Sequence, residues 1–363
     1  MNIPTQEKFP CEKCGANLVF TPGIQSIQCE YCGHQQKIEV SEETIQIQEY
    51  SFEEALKNSK QVDSKSLSED SKEIQCSGCG AVSLVAEQST RCPFCSSPIV
   101  VDLKDSVNRI LPESVLPFSI DKKSAQNSFV DWLKSRWFAP GDLHNRAQKD
   151  GMDGLYLPFW TYDSETLTDY RGERGEHYNE TENYKTADGK TASRTVQKTR
   201  WYPASGKVRV SFDDVLVCAS QSLPHNLIDA LEPWELKNLL PFNSKYLSGF
   251  ITERYKIDLK DGFNIAKQKM DPIIKRNIHN DIGGDEQRIH SKSVKYSDIT
   301  YKHILLPLWI SSFKYKDKVY RIIVNARTGE VSGERPYSWI KITLAVLLGI
   351  SVLALGFFFL QKV

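Results

Sequence analysis

The rhythm of apolar and polar residues changes repeatedly along this chain, and each change predicts a different element. Leu18-Val19-Phe20 and Ser83-Leu84-Val85 are short β-favouring runs, each set between cysteine pairs. Ser51 to Lys57 can close a short helix; Asn58 to Glu73 is rich in Ser, Lys, Asp and Glu, has little to bury, and reads as a linker. Val115 to Asp121 reads as a strand entering a helix capped by Ser124, with Phe129, Val130, Leu133 and Trp137 at helical spacing. A strand follows at Leu155 to Trp160. Arg171 to Lys198 then holds almost no aliphatic residue and alternates charge around Asp188-Gly189, which predicts a hairpin turn at the tip of a projecting polar arm. Val215 to Cys218 and Phe250 to Asp258 read as strands. Phe263, Ala266, Met270, Ile273 and Ile274 mark a helical face kinked near Pro272, and Leu305 to Trp309 is again a strand. Last, Ile342 to Leu360 is a run of 19 residues without a charge. As a helix it covers about 28 Å, close to the hydrocarbon thickness of a bilayer.

The middle of the chain repeats itself. Ile120-Asp121 returns as Ile257-Asp258 at an offset of 137, and Pro158 returns as Pro307 at 149, so the difference between the offsets fits a loop insertion. The reading is two related strand–helix–strand–strand halves, with the prolines at strand beginnings or edges because they cannot donate to a central ladder.

Eight of the 9 cysteines fall before residue 96 and form two quartets. Cys11, Cys14, Cys29 and Cys32 make the first; Cys76, Cys79, Cys92 and Cys95 make the second. Paired Cys-x-x-Cys knuckles joined by a hairpin bring four sulfurs around one Zn²⁺, and four protein ligands leave no position for water or substrate. Two structural zinc ions are expected, because each ribbon is too small to fold on its apolar core. The Cys92-Pro93-Phe94-Cys95 knuckle also resembles those of rubredoxin-type sites, which leaves iron as an alternative there. The expected fold class is α+β. Residues 9–40 would be zinc ribbon 1, 41–73 a short helix and linker, 74–102 zinc ribbon 2, 103–335 a central α+β domain with an internal duplication, and 338–360 a transmembrane helix. The linker would leave the ribbons free to move independently of the body.

Charge narrows the partners. Residues 1–102 carry 8 Lys/Arg against 15 Asp/Glu, and thiolate-bound zinc would add further negative charge. Phosphate backbones need clustered cations, so nucleic acid should bind only weakly, and a protein partner is the expectation. The start of the chain has no apolar signal run, and thiolate zinc sites need a reducing compartment. Together these predict a single-pass protein of the cell membrane, N-terminus cytosolic, meeting the bilayer through Ile342 to Leu360.

No catalytic residue announces itself. Asp188-Gly189-Lys190-Thr191 is not a phosphate loop, since Tyr184 stands where the first glycine is required, and no nucleotide is expected. The 7 histidines lack metal-ligand spacing, and Cys218 in its apolar strand reads as an inert buried thiol. Asp281-Ile282-Gly283-Gly284-Asp285-Glu286 reads as a helix stop and turn, with a cation or substrate site as the sharper alternative.

On the quartets, Tyr156-Leu-Pro-Phe-Trp160, Pro233-Trp-Glu-Leu236, Tyr246-Leu-Ser-Gly-Phe250, Gly283 to Ile289, Leu306-Pro-Leu-Trp309 and Val324 to Glu330, the chain resembles a bacterial family of zinc-ribbon proteins with one C-terminal membrane helix. That family carries TFIIB-type or primosomal-helicase-like labels. The resemblance implies a membrane-associated accessory protein working beside phage-shock or SPFH-type assemblies and carries over no catalytic residue; the closed zinc sites, acidic ribbons, linker and anchor fit a non-catalytic adaptor or scaffold. The alternative is a membrane-tethered nucleic-acid-binding protein of replication or transcription, which would need a basic surface assembled by folding from the central domain.

Overall fold

The computed structural model of the protein describes residues 9–39, 47–59, 73–76, 81–84, 92, 94, 103–104, 110–141, 151–315 and 318–360. It is a sheet-rich mixed fold with some helices and a C-terminal apolar helix. At the start, β1 (Leu18–Thr21), β2 (Ser26–Cys29) and β3 (Gln35–Lys37) form a small antiparallel sheet. This ribbon does not stand apart. Phe20 lies 5.3 Å from the Tyr246 ring and 6.2 Å from Phe250, and its N–H donates to the Ser248 carbonyl at 3.0 Å. Ser248 Oγ returns a bond to the Leu18 carbonyl at 2.6 Å. Gly249, at φ +85°, lets the chains touch: a Cβ there would come within 2.2 Å of Val19 Cγ1. The free movement expected of ribbon 1 therefore gives way to packing, because Leu18 and Phe20 need a larger apolar surface than their own sheet offers.

The segment after ribbon 1 is built in too. β4 (Tyr50–Ser51) pairs with Thr300 and Tyr301, and Phe52, at the start of helix Phe52–Ser59, is buried against Tyr162 and Phe263. Residues 60–72 lie outside the described residues. β5 (Glu73–Gln75), β6 (Val82–Leu84) and β7 (Leu103–Lys104) extend the main sheet, in which β6 pairs with β12 (Ile251–Glu253).

The sequence repeat reappears in strand pairing, in two indole bonds and in both helix caps. Its first half runs β8 (Ser114–Val115), helix Lys122–Lys134, β9 (Asp153–Lys185), β10 (Thr191–Cys218). After β11 (Leu240–Pro241), the second runs β12, helix Leu259–Ile282, β13 (Glu286–Tyr315), β14 (Lys318–Asn325). β8 lies parallel to β13 with Ser114 opposite Ile304, and β12 lies parallel to β9 with Ile251 opposite Leu155. Trp309 Nε1 donates to the Ile120 carbonyl and Trp160 Nε1 to the Ile257 carbonyl, both at 2.9 Å. Ser119 and Ile120 N–H groups share the Ala326 carbonyl, as Lys256 and Ile257 share Ala219. Asp121 caps the first helix by accepting from the Ser124 N–H, and Asp258 caps the second through Asp261. The cap is thus Asp121, and Ser124, the expected cap, supplies the donor. Strand boundaries also differ: only Ile251–Glu253 of the expected Phe250–Asp258 strand pairs, and the strand at Leu155 does not stop at Trp160.

β9 continues for 33 residues because its rhythm changes without breaking. Leu155 to Tyr162 is buried throughout, and then Ser164, Thr166, Thr168 and Tyr170 are buried while their neighbours are half-exposed or exposed. Helix Leu259–Ile282 follows this stretch outward, tied by Tyr162 Oη to the Leu259 carbonyl at 2.7 Å and by Tyr170 Oη to Asp281 at 2.5 Å. β13 pairs with β9 as far as Gly175; beyond it, β9 and β10 go on as a two-stranded ribbon to the turn at Asp188-Gly189. There Gly189, at φ +77°, closes onto Thr186. This is the projecting polar arm, held by Lys198 against Glu180 and Glu182 (2.9 and 2.7 Å) and by Arg200 stacked 4.8 Å from Tyr178. At about 3.3 Å per residue the strand's contour approaches 110 Å. Finally, β15 (Val331–Gly333) closes a hairpin on β14.

Candidate metal centre

The first quartet is assembled by two knuckles of the same shape. After Cys11 the chain turns so that Gly15 N–H donates to the Cys11 carbonyl (2.8 Å), and Cys11 N–H to Ala16 (2.7 Å). After Cys29, Gly33 N–H donates to Cys29 (3.0 Å) and Cys29 N–H to His34 (2.8 Å). Both glycines have positive φ, +76° and +72°, so the position after each second cysteine suits a residue without Cβ. The hairpin β1–β2 places Cys29 opposite Leu18 and so brings the knuckles together.

The four sulfurs lie within 4.8 Å of one another, with Cys11 to Cys32 at 3.5 Å and Cys14 to Cys29 at 3.4 Å. A tetrahedral zinc with Zn–S near 2.3 Å needs sulfur separations of about 3.8 Å, so the set could hold one metal ion with little adjustment. Cys11 and Cys29 are buried, whereas Cys14 and Cys32 face solvent, which leaves an entry side. Electrostatics divide the thiols. The Ala16 N–H favours the Cys14 thiolate, but the other sulfurs outweigh it and push Cys14 up to about 12. Cys29 is drawn down to about 7, chiefly by the Cys32 N–H and further by Tyr31. N–H groups aimed at sulfur are the arrangement that supports ligand thiolates.

Of the second quartet, Cys76 and Cys92 are described and buried, while Cys79 and Cys95 lie outside the described residues. Cys76 N–H donates to the Ala81 carbonyl at 2.8 Å, the same five-residue closure made after Cys11 and Cys29. Phe94 is fully buried, and its carbonyl accepts from Arg321 Nε at 2.6 Å.

The remaining candidates resolve into structure. Gly283, at φ +67°, ends the long helix by donating to His279; Asp285 accepts the His177 N–H, and Glu286 meets the His177 ring at 2.9 Å, so this segment is a stop and turn. Cys218 is buried and its thiol is pushed up by that burial. Lys190 sits in the arm's turn, accepting the Thr186 N–H with its carbonyl. Two polar clusters had no signal in the sequence because their members are far apart along the chain. Asp163, Asp213 and Asp214 converge, and Lys302 stands 2.7 Å from Asp214 and 3.0 Å from Glu49. Glu253 is buried and accepts from the hydroxyls of Ser220 and Ser222. At the chain's end, helix Trp339–Leu360 is long and apolar enough to cross a membrane, and none of Trp339–Phe357 is buried in the protein.

The chain is similar to the uncharacterized protein YdjG of Bacillus subtilis (strain 168), with 27% identity over 334 residues, which cover 91% of this chain and 90% of that protein. No protein-family model matches the chain, and no solved structure matches it.

Proposed function

We propose that the protein is a membrane-tethered, non-catalytic zinc-ribbon adaptor that recruits a protein partner at the cytosolic face of the cell membrane. The observation that carries this reading is the convergence of the Cys11, Cys14, Cys29 and Cys32 sulfurs on a chain that ends in an uncovered apolar helix. A quartet of protein thiolates fills a zinc ion's coordination, so its role is to hold a surface in shape and not to activate water. In this reading the second quartet holds a second zinc, the N-terminus is cytosolic, and the chain belongs with the zinc-ribbon, single-helix proteins it resembles, in phage-shock or SPFH-type membrane-stress assemblies. Because ribbon 1 is seated on Tyr246 and Phe250, the docking surface would be shared between ribbon and body.

The test uses the full chain in its membrane. Elemental analysis should find about two zinc atoms per chain, as two four-ligand sites require. Replacing Cys11 and Cys14, or Cys76 and Cys79, with Ser should lose crosslinked partners and leave membrane attachment intact. Retention of every partner by both variants sinks the reading. So does binding of duplex DNA at physiological salt more tightly than the ~10⁻⁶ M of non-specific contact, which would favour a nucleic-acid tether instead.

A further inference from the structure

Beside the root of the apolar helix lies a second apolar feature. The turn that follows helix Lys122–Lys134 closes when Ala139 N–H donates to the Arg136 carbonyl, and three hydrogen bonds fasten it to the start of helix Trp339–Leu360. Lys341 Nζ donates to the carbonyls of Ala139 and Trp137 at 2.8 and 3.1 Å, and Ser338 N–H donates to Phe138 at 2.8 Å. The lysine that flanks the apolar run is thus spent on the turn, and turn and helix root form one unit. On that unit Trp137 is 81% exposed and Trp339 78%, with Tyr337, Ile340 and Phe138 also open. The Arg335 guanidinium stands 5.1 Å from the Tyr337 ring, and Arg136 stands 4.8 Å from Trp132.

Exposed indole and phenyl rings of this extent are costly in water unless something covers them. The repeat sharpens the point: one offset of 137 beyond Trp137 stands Ile274, which is fully buried on the second helix. Among the described residues nothing covers Trp137. Its continuity with an apolar helix long enough to span, and the cations around it, fit the headgroup layer, where amphipathic rings and Lys/Arg collect.

We propose that Trp137 and Phe138 insert into the headgroup layer beside the helix root, as a second membrane contact that sets how the body stands on the bilayer. This rests on the reading of Trp339–Leu360 as a membrane anchor. Lys341 is a positioning residue in it, holding the turn at the depth of the helix root.

The experiment places the full chain in vesicles of phosphatidylcholine and phosphatidylglycerol containing lipid brominated near the top of the acyl chain, which quenches tryptophan on contact. Trp137→Phe and Trp339→Phe should each remove about half of the quenchable emission, since both indoles would sit at interfacial depth. Trp132→Phe, on the half-buried indole of helix Lys122–Lys134, should leave it unchanged. If Trp339→Phe lowers the quenchable fraction and Trp137→Phe does not, the second contact is refuted while the anchor stands. If neither changes it and the protein does not float with the vesicles, the anchor reading fails and takes this inference with it.

Discussion

The two halves of the central body share a backbone and differ in what they fill it with. At the entry to the first helix, Phe118 meets Trp309 of β13 edge-on at 5.1 Å and stacks on Phe250 at 4.1 Å, and ribbon 1 covers the group. At the entry to the second helix, the same places are taken by Tyr255 and by Trp160 of β9, 5.0 Å apart, with His303 set 4.7 Å from the indole. Tyr255 Oη accepts the Ile110 N–H, and His303 Nδ1 bonds the Ile110 carbonyl at 2.9 Å, so this pocket is polar where its counterpart is apolar. The helices differ likewise. Ala125, Phe129 and Leu133 seat the first, which stops at Lys134; Gly262, Ala266 and Met270 occupy the matching places on the second, which runs on through Ile274, Ile278 and Ile282. That extension gives the root of the arm an apolar cover, and beyond Ile282 the arm narrows to a ribbon held by ion pairs and ring contacts. Backbone register is what the halves hold in common; the length of one helix decides how far the three-stranded sheet can reach.

The largest effect should come from closing the gap at Gly262. A Cβ there would lie 2.3 Å from Tyr162 Oη and 2.8 Å from Trp160 Cδ1, whereas the first half already carries a buried alanine at the matching position. Gly262→Val should destabilise by about 3 kcal/mol or more through overpacking and should loosen the arm root, seen as faster amide exchange along β9 from Tyr162 to Tyr170. Ala125→Gly should cost only about 1 kcal/mol, the helix propensity difference. Equal losses in thermal melts of the two variants would mean that the helices are seated alike and that the contrast is wrong.

This pair also shows what the sequence could tell. Ile-Asp and Pro at two offsets revealed the repeat because capping and strand entry are local and tolerate few residue types. The four ribbon cysteines were legible for the same reason, since metal geometry constrains spacing. The polar tip showed in its Asp-Gly turn and loss of aliphatics. Long-range packing was not legible. Nothing local in Leu18-Val19-Phe20 says that they seat on Tyr246 and Phe250, and Ser164, Thr166 and Thr168 look like loop residues until a helix lies over them. Likewise Lys302, Glu49, Asp163 and Asp214 come together only through strand register.

The polar pocket makes the second half sensitive to acid. Burial draws His303 down to about 4, so folding holds it neutral. The unfolded chain takes up the proton near pH 6.5, so stability from this group is complete above that pH and is lost as pH falls toward the folded value, by about 3 kcal/mol over the window. Glu113, whose N–H bonds the His303 carbonyl, acts in the opposite sense, because burial raises its carboxyl. The comparison is therefore with His303→Phe: melting temperature of the wild type should fall more steeply than the variant's between pH 6.5 and 5. Parallel curves would remove His303 as the cause.

The smallest effect tests the symmetry itself. Asp121 and Asp258 each accept one N–H three residues on, at 2.7 and 2.8 Å, so Asp121→Ala and Asp258→Ala should each cost about 1 kcal/mol. The helices they start are separate, and the double variant should lose the sum of the two. Acid adds a check on the first cap. Bonding to the Ser124 side chain and N–H holds the Asp121 carboxyl below the usual carboxylate range, so its contribution is present at neutral pH and fades only as pH falls through that lowered value. Melting curves of wild type and Asp121→Ala should accordingly stay a constant interval apart from pH 7 down to about 4 and converge below it. A cap on one helix worth several times the other would show that the matching bonds bear unequal loads, and that one half folds on its own start while the other is held by what packs upon it.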